Sequence, residues 1–208
     1  EVYRPVAAGE NVIMAGEDFH IGESILASGK TIGHAELGAL MSLGITSIQA
    51  YRTPKVAVIS SGDELVPPKE KLAKGMIRDI NLYTIGALIE GLGASPTLFP
   101  RVPDEFDELL EVGKKAMELS DMIVFTSGSS ISSRDLTAQV INKMGSPGVL
   151  IHGLSVKPGK PTILGFSAGK PVIGLPGNPV SAITIFKAVV DPLLRLISGK
   201  KIVRSFKT

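Results

Sequence analysis

The larger part of the sequence alternates apolar, strand-like runs with helix-like segments, and this alternation constrains the fold more than any other feature. From Lys55 onward the runs are continuously apolar, as in VAVIS and MIVF. Such runs indicate strands buried on both sides, as in a parallel sheet that is covered by helices on both faces. We therefore predict an α/β fold with a mainly parallel sheet.

Length and periodicity place the individual elements of this sheet. The predicted strands are Val56–Ser60, Thr97–Pro100, Met122–Thr126, Leu150–Val156, Thr162–Gly165 and Pro171–Leu175. The predicted helices are Leu82–Leu92, Asp104–Leu119, Arg134–Met144 and Pro179–Ile197. The connections between them are short, so the elements belong to one domain.

The first part of the sequence follows a different pattern, in which short apolar stretches are separated by glycines. This spacing predicts short strands joined by turns, with one helix over His34–Leu43 and a strand over Ile45–Tyr51. We predict a small β-rich or mixed portion over residues 1–53 and the α/β domain over residues 54–208, with a linker near Arg52–Pro54.

Composition excludes several classes of function. The 22 Lys and Arg residues nearly balance the 20 Asp and Glu residues, and the net charge of +2 provides no broad field that attracts nucleic acid or a membrane surface. Because the chain has no cysteine, disulfides, thiolate metal sites and cysteine nucleophiles are excluded. No apolar run approaches the roughly 18 residues of a membrane span, and the charged start is not a signal peptide, so we expect a cytoplasmic protein. The missing initiator Met predicts a processed product or a piece of something longer.

Two neighbouring acids follow the first predicted strand of the sheet. In parallel sheets, ligands bind at the carboxyl ends of the strands, where loops lead into helices. Asp63 and Glu64 there suit Mg²⁺ binding or general-base chemistry, and a turn with solvated acids is the alternative. Further along, Asn81 is predicted to cap the next helix, which leaves Asp79 free for another role.

The second loop, Thr126–Asp135, is rich in serine and follows another apolar strand. Small residues let backbone N–H groups approach an anion closely, and hydroxyl groups add further donors, so the loop suits a phosphate. It matches neither a P-loop nor the turn of a serine hydrolase. A Ser-rich turn in which Ser132 or Ser133 caps a helix is the alternative.

Two further loops combine stiff backbone with groups that bind anions. Lys157–Pro161 places two lysines around a glycine between prolines, which suits phosphate binding, and an exposed hairpin is the alternative. Gly174–Ser181 leads from a strand into a helix, with Asn178 as the predicted N-cap and Pro179 as the first helical residue. Together the four loops indicate a site for a phosphorylated ligand with a divalent metal.

Four motifs that occur in this order identify a family resemblance. They are G-D-E-L at Gly62–Leu65, G-x-I-x-D-x-N at Gly75–Asn81, K-P-G-K-P at Lys157–Pro161 and G-L-P-G-N-P-V-S-A at Gly174–Ala182. Over roughly residues 2–200 the chain resembles the molybdopterin molybdenumtransferase family, which includes a domain of gephyrin. The resemblance implies the molybdopterin-binding, MogA-like fold. It also implies cleavage of adenylylated molybdopterin with Mg²⁺ assistance, release of AMP and insertion of molybdate to form the molybdenum cofactor.

The resemblance also implies roles for individual residues. The implied catalytic acids are Glu64, Asp104 and Asp135, and the implied metal ligands are Asp63, Glu64 and Asp135. Binding of the pterin nucleotide is implied for Asp79, Asn81, Ser127, Gly128, Ser129, Lys157, Gly159, Lys160, Pro176, Gly177, Asn178 and Ser181. A homodimer and a molybdopterin adenylyltransferase as partner are implied as well. Full members of the family are about twice as long, so the sequence resembles a middle portion of one.

Two departures from the family pattern keep other functions open. Ser129 stands where the family has a second glycine in a loop that is one residue longer, and Gly153 stands where some members have a lysine. The alternative is therefore a non-catalytic molybdopterin-binding or scaffold protein. A nucleotide pyrophosphatase of the competence-damage-inducible family ranks last, because its loop pattern G-G-x-G-P-T-x-D-D does not match SGSSISSRD.

Overall fold

The computed structural model describes residues 4–127 and 131–200, without the side chains of residues 127 and 131–134. The chain divides into two compact units, Glu1–Gln49 and Ala50–Thr208. Each unit is described by itself below.

The first unit consists of turns and one helix, α1 (His34–Ser42). Its turns are closed locally, because a glutamate carboxylate accepts from a backbone N–H three residues earlier, as between Glu10 and Ala7 at 3.0 Å and between Glu17 and Met14 at 2.9 Å. Residues 4–49 contain no strand, and the predicted strand over Ile45–Tyr51 is wrong. Backbone groups that are bonded within turns leave no ladder for a neighbouring strand to extend.

The second unit contains a six-stranded sheet and a separate pair of short strands. In chain order the strands are β1 (Lys55–Ser61), β2 (Leu65–Val66), β3 (Ile77–Arg78), β4 (Ser95–Val102), β5 (Met122–Ser127), β6 (Pro147–His152), β7 (Ile163–Ser167) and β8 (Lys170–Leu175). The order in the large sheet is β4-β1-β5-β8-β7-β6, and β2 pairs with β3. The first four strands of the large sheet are parallel, while β7 and β6 are antiparallel to their neighbours.

Helices cover both faces of this sheet. They are α2 (Asn81–Gly91), α3 (Phe106–Leu119), α4 (Ile131–Met144), α5 (Pro179–Ile185), a π-helical turn over Phe186–Val190, and α6 (Asp191–Ile197). One core cluster packs α2 and the C-terminal helices onto Val56, Val58 and Val124, and a second packs α3 and α4 onto the opposite face around Ile59. The predicted α/β class, with a mainly parallel sheet between two helical layers, is confirmed.

Among the differences between the predicted and observed elements, two concern the last third of the chain. The strand predicted over Leu150–Val156 begins earlier and ends at His152, so the loop that carries the two lysines is longer than expected. The helix predicted over Pro179–Ile197 is continuous but contains the π-helical turn, which lies just before Pro192. A proline has no N–H to donate to the preceding turn, and π-bulges occur where the regular bonding ladder is interrupted. No helix within the described ranges is long and apolar enough to cross a membrane.

Candidate functional site

A cavity of about 640 Å³ lies in the second unit, where strands β1 and β5 end. Ser60 of β1 is in register with Thr126 of β5, and both side chains lie on the sheet face that α2 covers. The apolar part of the wall consists of Leu65, Leu72, Met76, Ile77, Ile80 and Pro179. The polar part consists of Ser60, Arg78, Asp79, Asn81, Thr126, Gly177 and Asn178. The cavity thus combines a broad apolar surface with a few polar groups, which is typical of small-molecule sites.

Two of the predicted binding residues near α2 have exchanged roles. The prediction that Asn81 caps α2 is wrong, because the Oδ1 atom of Asp79 accepts from the Leu82 N–H at 3.1 Å. Asn81 instead donates from Nδ2 to the carbonyl oxygen of Gly177 at 2.8 Å. This bond joins the start of α2 to the loop before α5, and both of these segments border the cavity.

The loop before α5 has the local structure that its sequence predicts. Asn178 is the N-cap of α5, and its Oδ1 atom accepts from the N–H groups of Val180 and Ser181 at 3.1 and 3.3 Å. Pro179 occupies the first helical turn, where its missing N–H is not needed. The predicted cap is confirmed, and the cap fixes the backbone of Gly177 at the cavity.

Three polar atoms at the cavity have no hydrogen-bond partner in the part of the chain that the structure describes. They are Ser60 Oγ, Asp79 Oδ2 and Thr126 Oγ1. The three residues are 0%, 6% and 1% exposed. A buried polar atom without a partner costs roughly 1–3 kcal/mol, and more when it is charged. Such atoms beside a cavity mark hydrogen-bonding positions that a ligand or a water molecule can complete.

Acidic residues meet at a corner beside β1 and β4. Asp63 is exposed, its Oδ1 atom accepts from the Asp104 N–H at 3.4 Å, and its carbonyl oxygen accepts from Arg101 at 3.3 Å. Glu64 is half-buried, and its carbonyl oxygen accepts from the Ile77 N–H at 2.8 Å. The Asp63 side chain therefore contacts the backbone of Asp104, and Glu64 follows Asp63 in the chain.

The structure does not gather the predicted acids into a preformed metal cluster. Asp135 is exposed on α4. Among residues 4–127 and 131–200, no group of three or more His, Asp or Glu side chains is placed to hold a metal ion. A metal at this corner would therefore take part of its coordination shell from a ligand or from water.

The loop with the two lysines is held against α5. Gly159 is buried with φ +119°, and a Cβ atom there would lie only 2.3 Å from Ile185 Cδ1. The Gly159 carbonyl oxygen accepts from Thr162 Oγ1 at 2.6 Å. The side chains of Lys157 and Lys160 are exposed, and neither pairs with a carboxylate in the described ranges. The close approach of Gly159 thus fixes the loop and leaves two cations free to meet an anion.

Four of the predicted binding residues line the cavity, namely Asp79, Asn81, Gly177 and Asn178. Glu64, Asp104, Asp135, Lys157, Lys160, Pro176 and Ser181 do not line it. Gly128, Ser129 and the side chain of Ser127 lie outside the described residues. Ser60 and Thr126 were not among the predicted binding residues, although each is a hydroxyl residue at the end of an otherwise apolar strand, which is a signal that the sequence contains.

Comparisons with known proteins show similarity in sequence and in fold. A family model described as a probable molybdopterin binding domain matches residues 57–196. A molybdopterin molybdenumtransferase of Haemophilus influenzae is 35% identical over 192 residues, which cover 92% of this chain and 47% of that protein. The crystal structure of a molybdopterin biosynthesis MoeA protein of Pyrococcus horikoshii superposes with a TM-score of 0.82 at 38% identity, covering 96% of this chain and 49% of that one.

A further similarity concerns the fold alone. The structure of the molybdopterin biosynthesis enzyme MoaB of Thermus thermophilus has a TM-score of 0.53 at 20% identity, and the match covers 71% of this chain and 98% of that one. The chain spans about half the length of these Haemophilus and Pyrococcus relatives.

Proposed function

The chain belongs to the family of probable molybdopterin-binding domains, and from this premise we propose that it acts in molybdenum cofactor biosynthesis. The proposed activity is that of a molybdopterin molybdenumtransferase, or of the ligand-binding portion of one. The substrates are adenylylated molybdopterin and molybdate, and the products are AMP and the molybdenum cofactor. The names of the relatives support this proposal.

One structural observation carries the proposal for the pterin nucleotide. Three buried polar atoms without partners, Ser60 Oγ, Asp79 Oδ2 and Thr126 Oγ1, border a cavity whose wall is otherwise largely apolar. Apolar walls bury a planar ring, and a few polar groups fix its orientation. A cavity of about 640 Å³ has the size of a site for a ligand of this kind.

The free cations support the proposal for the phosphate groups. Cleavage of a phosphoanhydride places growing negative charge on the leaving phosphate. Lys157 and Lys160 stand on a loop that is fixed against α5, so that little ordering is needed when they neutralise this charge. Glu64, half-buried beside β2, is the proposed acid that orients the attacking oxygen.

The acids at the corner fit Mg²⁺ in their chemistry. All donors there are carboxylate oxygens, and Mg²⁺ commonly takes one or two carboxylates together with substrate phosphates and water. Asp63 and Glu64, with Asp135, would hold the ion, and the ion would supply charge neutralisation at the phosphates.

A non-catalytic molybdopterin-binding protein is the second candidate, and Gly153 favours it. Gly153 begins the lysine loop with φ +96°, and its N–H donates to the Thr162 carbonyl oxygen at 2.8 Å. A lysine at this position would adopt a backbone angle that side chains disfavour. The backbone of this turn therefore disfavours the lysine that some family members carry here.

The measurement of AMP release from adenylylated molybdopterin, with molybdate and Mg²⁺, tests the two candidates. The transferase proposal expects release by the wild-type chain and a loss of roughly 10²-fold or more in Glu64→Gln. Glu70→Gln, an exposed acid on the same segment, serves as the control and should leave release unchanged. Binding without release by either protein supports the second candidate, and the absence of binding contradicts both.

The proposal also covers the cellular location, the oligomeric state and the partner of the protein. We propose a cytoplasmic homodimer that receives its substrate from a molybdopterin adenylyltransferase, and a functional domain over residues 54–208. Analytical ultracentrifugation of the 208-residue chain tests the dimer. A single sedimenting species with the mass of one chain, 21.8 kDa, at micromolar concentration would contradict it.

A further inference from the structure

The three cavity atoms without hydrogen-bond partners are a set of groups that does not suit a phosphate. Asp79 contributes a carboxylate oxygen, which repels phosphate, while Ser60 and Thr126 contribute hydroxyl groups. The remaining wall around them is mostly aliphatic. These groups therefore suit an uncharged ring edge with hydrogen-bond donors better than an anion.

The two oxygens of Asp79 have separate tasks. Oδ1 accepts from the Leu82 N–H and caps α2, which fixes the direction of the carboxylate. Oδ2 has no hydrogen-bond partner within the described ranges, and the residue is only 6% exposed. A fixed, buried acceptor of this kind is a recognition group for a donor on a ligand.

We propose that Asp79 Oδ2 recognises the 2-amino and N3–H edge of the pterin ring, with the hydroxyl groups of Ser60 and Thr126 as its neighbours. This inference rests on the proposed pterin substrate and assigns the ring, not the phosphates, to the cavity. The 2-amino and N3–H groups are adjacent donors, and one carboxylate oxygen has two lone pairs to accept from them. The hydroxyl groups donate to the neighbouring 4-oxo group.

The position of Ser60 and Thr126 agrees with this role. They are paired in register on adjacent parallel strands, so their side chains lie side by side on one face of the sheet. Both hydroxyl oxygens and Asp79 Oδ2 are covered by neighbouring protein atoms, and a change of χ1 rotamer turns a Ser or Thr hydroxyl to another direction without moving the backbone. Contact between these hydroxyl groups and the ring therefore requires the Ser60 and Thr126 side chains to change rotamer.

Matched ligands test the proposal directly. In 6-hydroxymethyllumazine an oxo group replaces the 2-amino group of 6-hydroxymethylpterin, so the donor at position 2 becomes an acceptor and N1 gains a hydrogen, while the bicyclic skeleton and the N3–H group are kept. We expect the 208-residue chain to bind the pterin at least about tenfold more tightly than the lumazine, measured by the change in ligand fluorescence. Equal affinities for the two ligands would overturn the inference.

Matched variants identify the residue that discriminates. Asp79→Asn keeps an oxygen for the Leu82 N–H but presents an amide donor in place of Oδ2, so the preference for pterin should disappear. Ser60→Ala and Thr126→Val should each weaken pterin binding several-fold. Ser120→Ala removes an equally buried hydroxyl that bonds to the Ala116 carbonyl oxygen, outside the cavity, and should leave affinity unchanged. A pterin preference that survives in a folded Asp79→Asn protein would overturn the inference.

Release of AMP separates this inference from the proposed function. A wild-type chain that releases AMP from adenylylated molybdopterin but shows no pterin preference would contradict the assignment of the ring and leave the function standing. A chain that prefers pterin over lumazine but releases no AMP would contradict the transferase proposal and support the ring site. Circular dichroism and thermal unfolding confirm that each variant is folded before binding is compared.

Discussion

The side-chain amide of Asn81 donates to the carbonyl oxygen of Gly177 at 2.8 Å, across 96 residues of sequence. Asn81 is the first residue of α2, and Gly177 precedes the cap of α5. Both residues line the cavity. This one bond therefore sets the distance between two loops that form opposite parts of the candidate site.

Removal of the Asn81 amide should weaken ligand binding more than stability. We expect Asn81→Ala to lower the free energy of unfolding by about 1 kcal/mol, the usual net worth of such a bond, and to reduce affinity for adenylylated molybdopterin at least about tenfold. Urea unfolding and calorimetric titration measure the two effects.

The control for Asn81 is Asn142, whose side chain also bonds to a distant backbone group. Asn142 Oδ1 accepts from the Val149 N–H at 2.8 Å, away from the cavity. Asn142→Ala should cost a similar free energy of unfolding and leave affinity unchanged. Equal losses of affinity in the two variants would show that Asn81 contributes through stability alone.

The two free lysines should matter to the reaction and not to folding. Under the proposed function each of these lysines neutralises charge on the leaving phosphate, so we expect Lys157→Ala and Lys160→Ala each to reduce AMP release by roughly 10²- to 10³-fold. Lys115→Ala on α3, another exposed lysine of the same unit, is the control. Loss of activity in all three variants would point to a general charge effect instead of a site.

Local signals in the sequence predicted the fold well. Asn178 and Pro179 predicted the start of α5, because a cap and a first-turn proline act within four residues. Continuous apolar runs predicted the buried strands for the same reason. The strand over Ile45–Tyr51 was wrong because β-propensity forms a strand only where a partner strand is available.

The candidate site was less predictable, because its contacts are distant in sequence. Asp79 and Asn81 are both good capping residues, and only the position of Gly177 decides that Asn81 turns away from its helix. Ser60 and Thr126 become neighbours through strand pairing, which no local pattern contains. They line the candidate site only because residues between them in the sequence form other walls of the same cavity.

The close approach of Gly159 to α5 should not tolerate a side chain. Gly159→Ala places a Cβ atom 2.3 Å from Ile185 Cδ1 and 2.6 Å from its Cγ1, at φ +119°. Gly169→Ala, at φ +79° with no atom within 4 Å, measures the backbone effect alone and should cost about 1–2 kcal/mol. We expect Gly159→Ala to cost about 1–3 kcal/mol more than that, by urea unfolding, because of overpacking. Equal costs would show that the loop can move away from Ile185.

The ion pair between Arg52 and Asp121 should make stability depend on pH in the acid range. Arg52 donates to both carboxylate oxygens of Asp121, at 2.5 and 2.6 Å, and these bonds, with a further one from the Lys55 N–H, hold the pKa of Asp121 below its ordinary value of 3.8. A lowered folded-state pKa means that the pair stabilises the protein fully above the ordinary pKa and stops doing so as pH falls through the lowered one. Because the Arg52 side chain is 72% exposed, we expect Arg52→Ala to cause only a small loss of stability at pH 7. This difference from the wild type should begin to shrink below about pH 4, where Asp121 of the unfolded chain binds a proton, and should disappear as pH falls through the lowered pKa of the folded protein. Urea unfolding between pH 3 and 7 measures it, with Arg195→Ala, from the exposed pair with Asp191, as the control. A difference that stays constant down to pH 3 would contradict a stabilising role of the ionised pair.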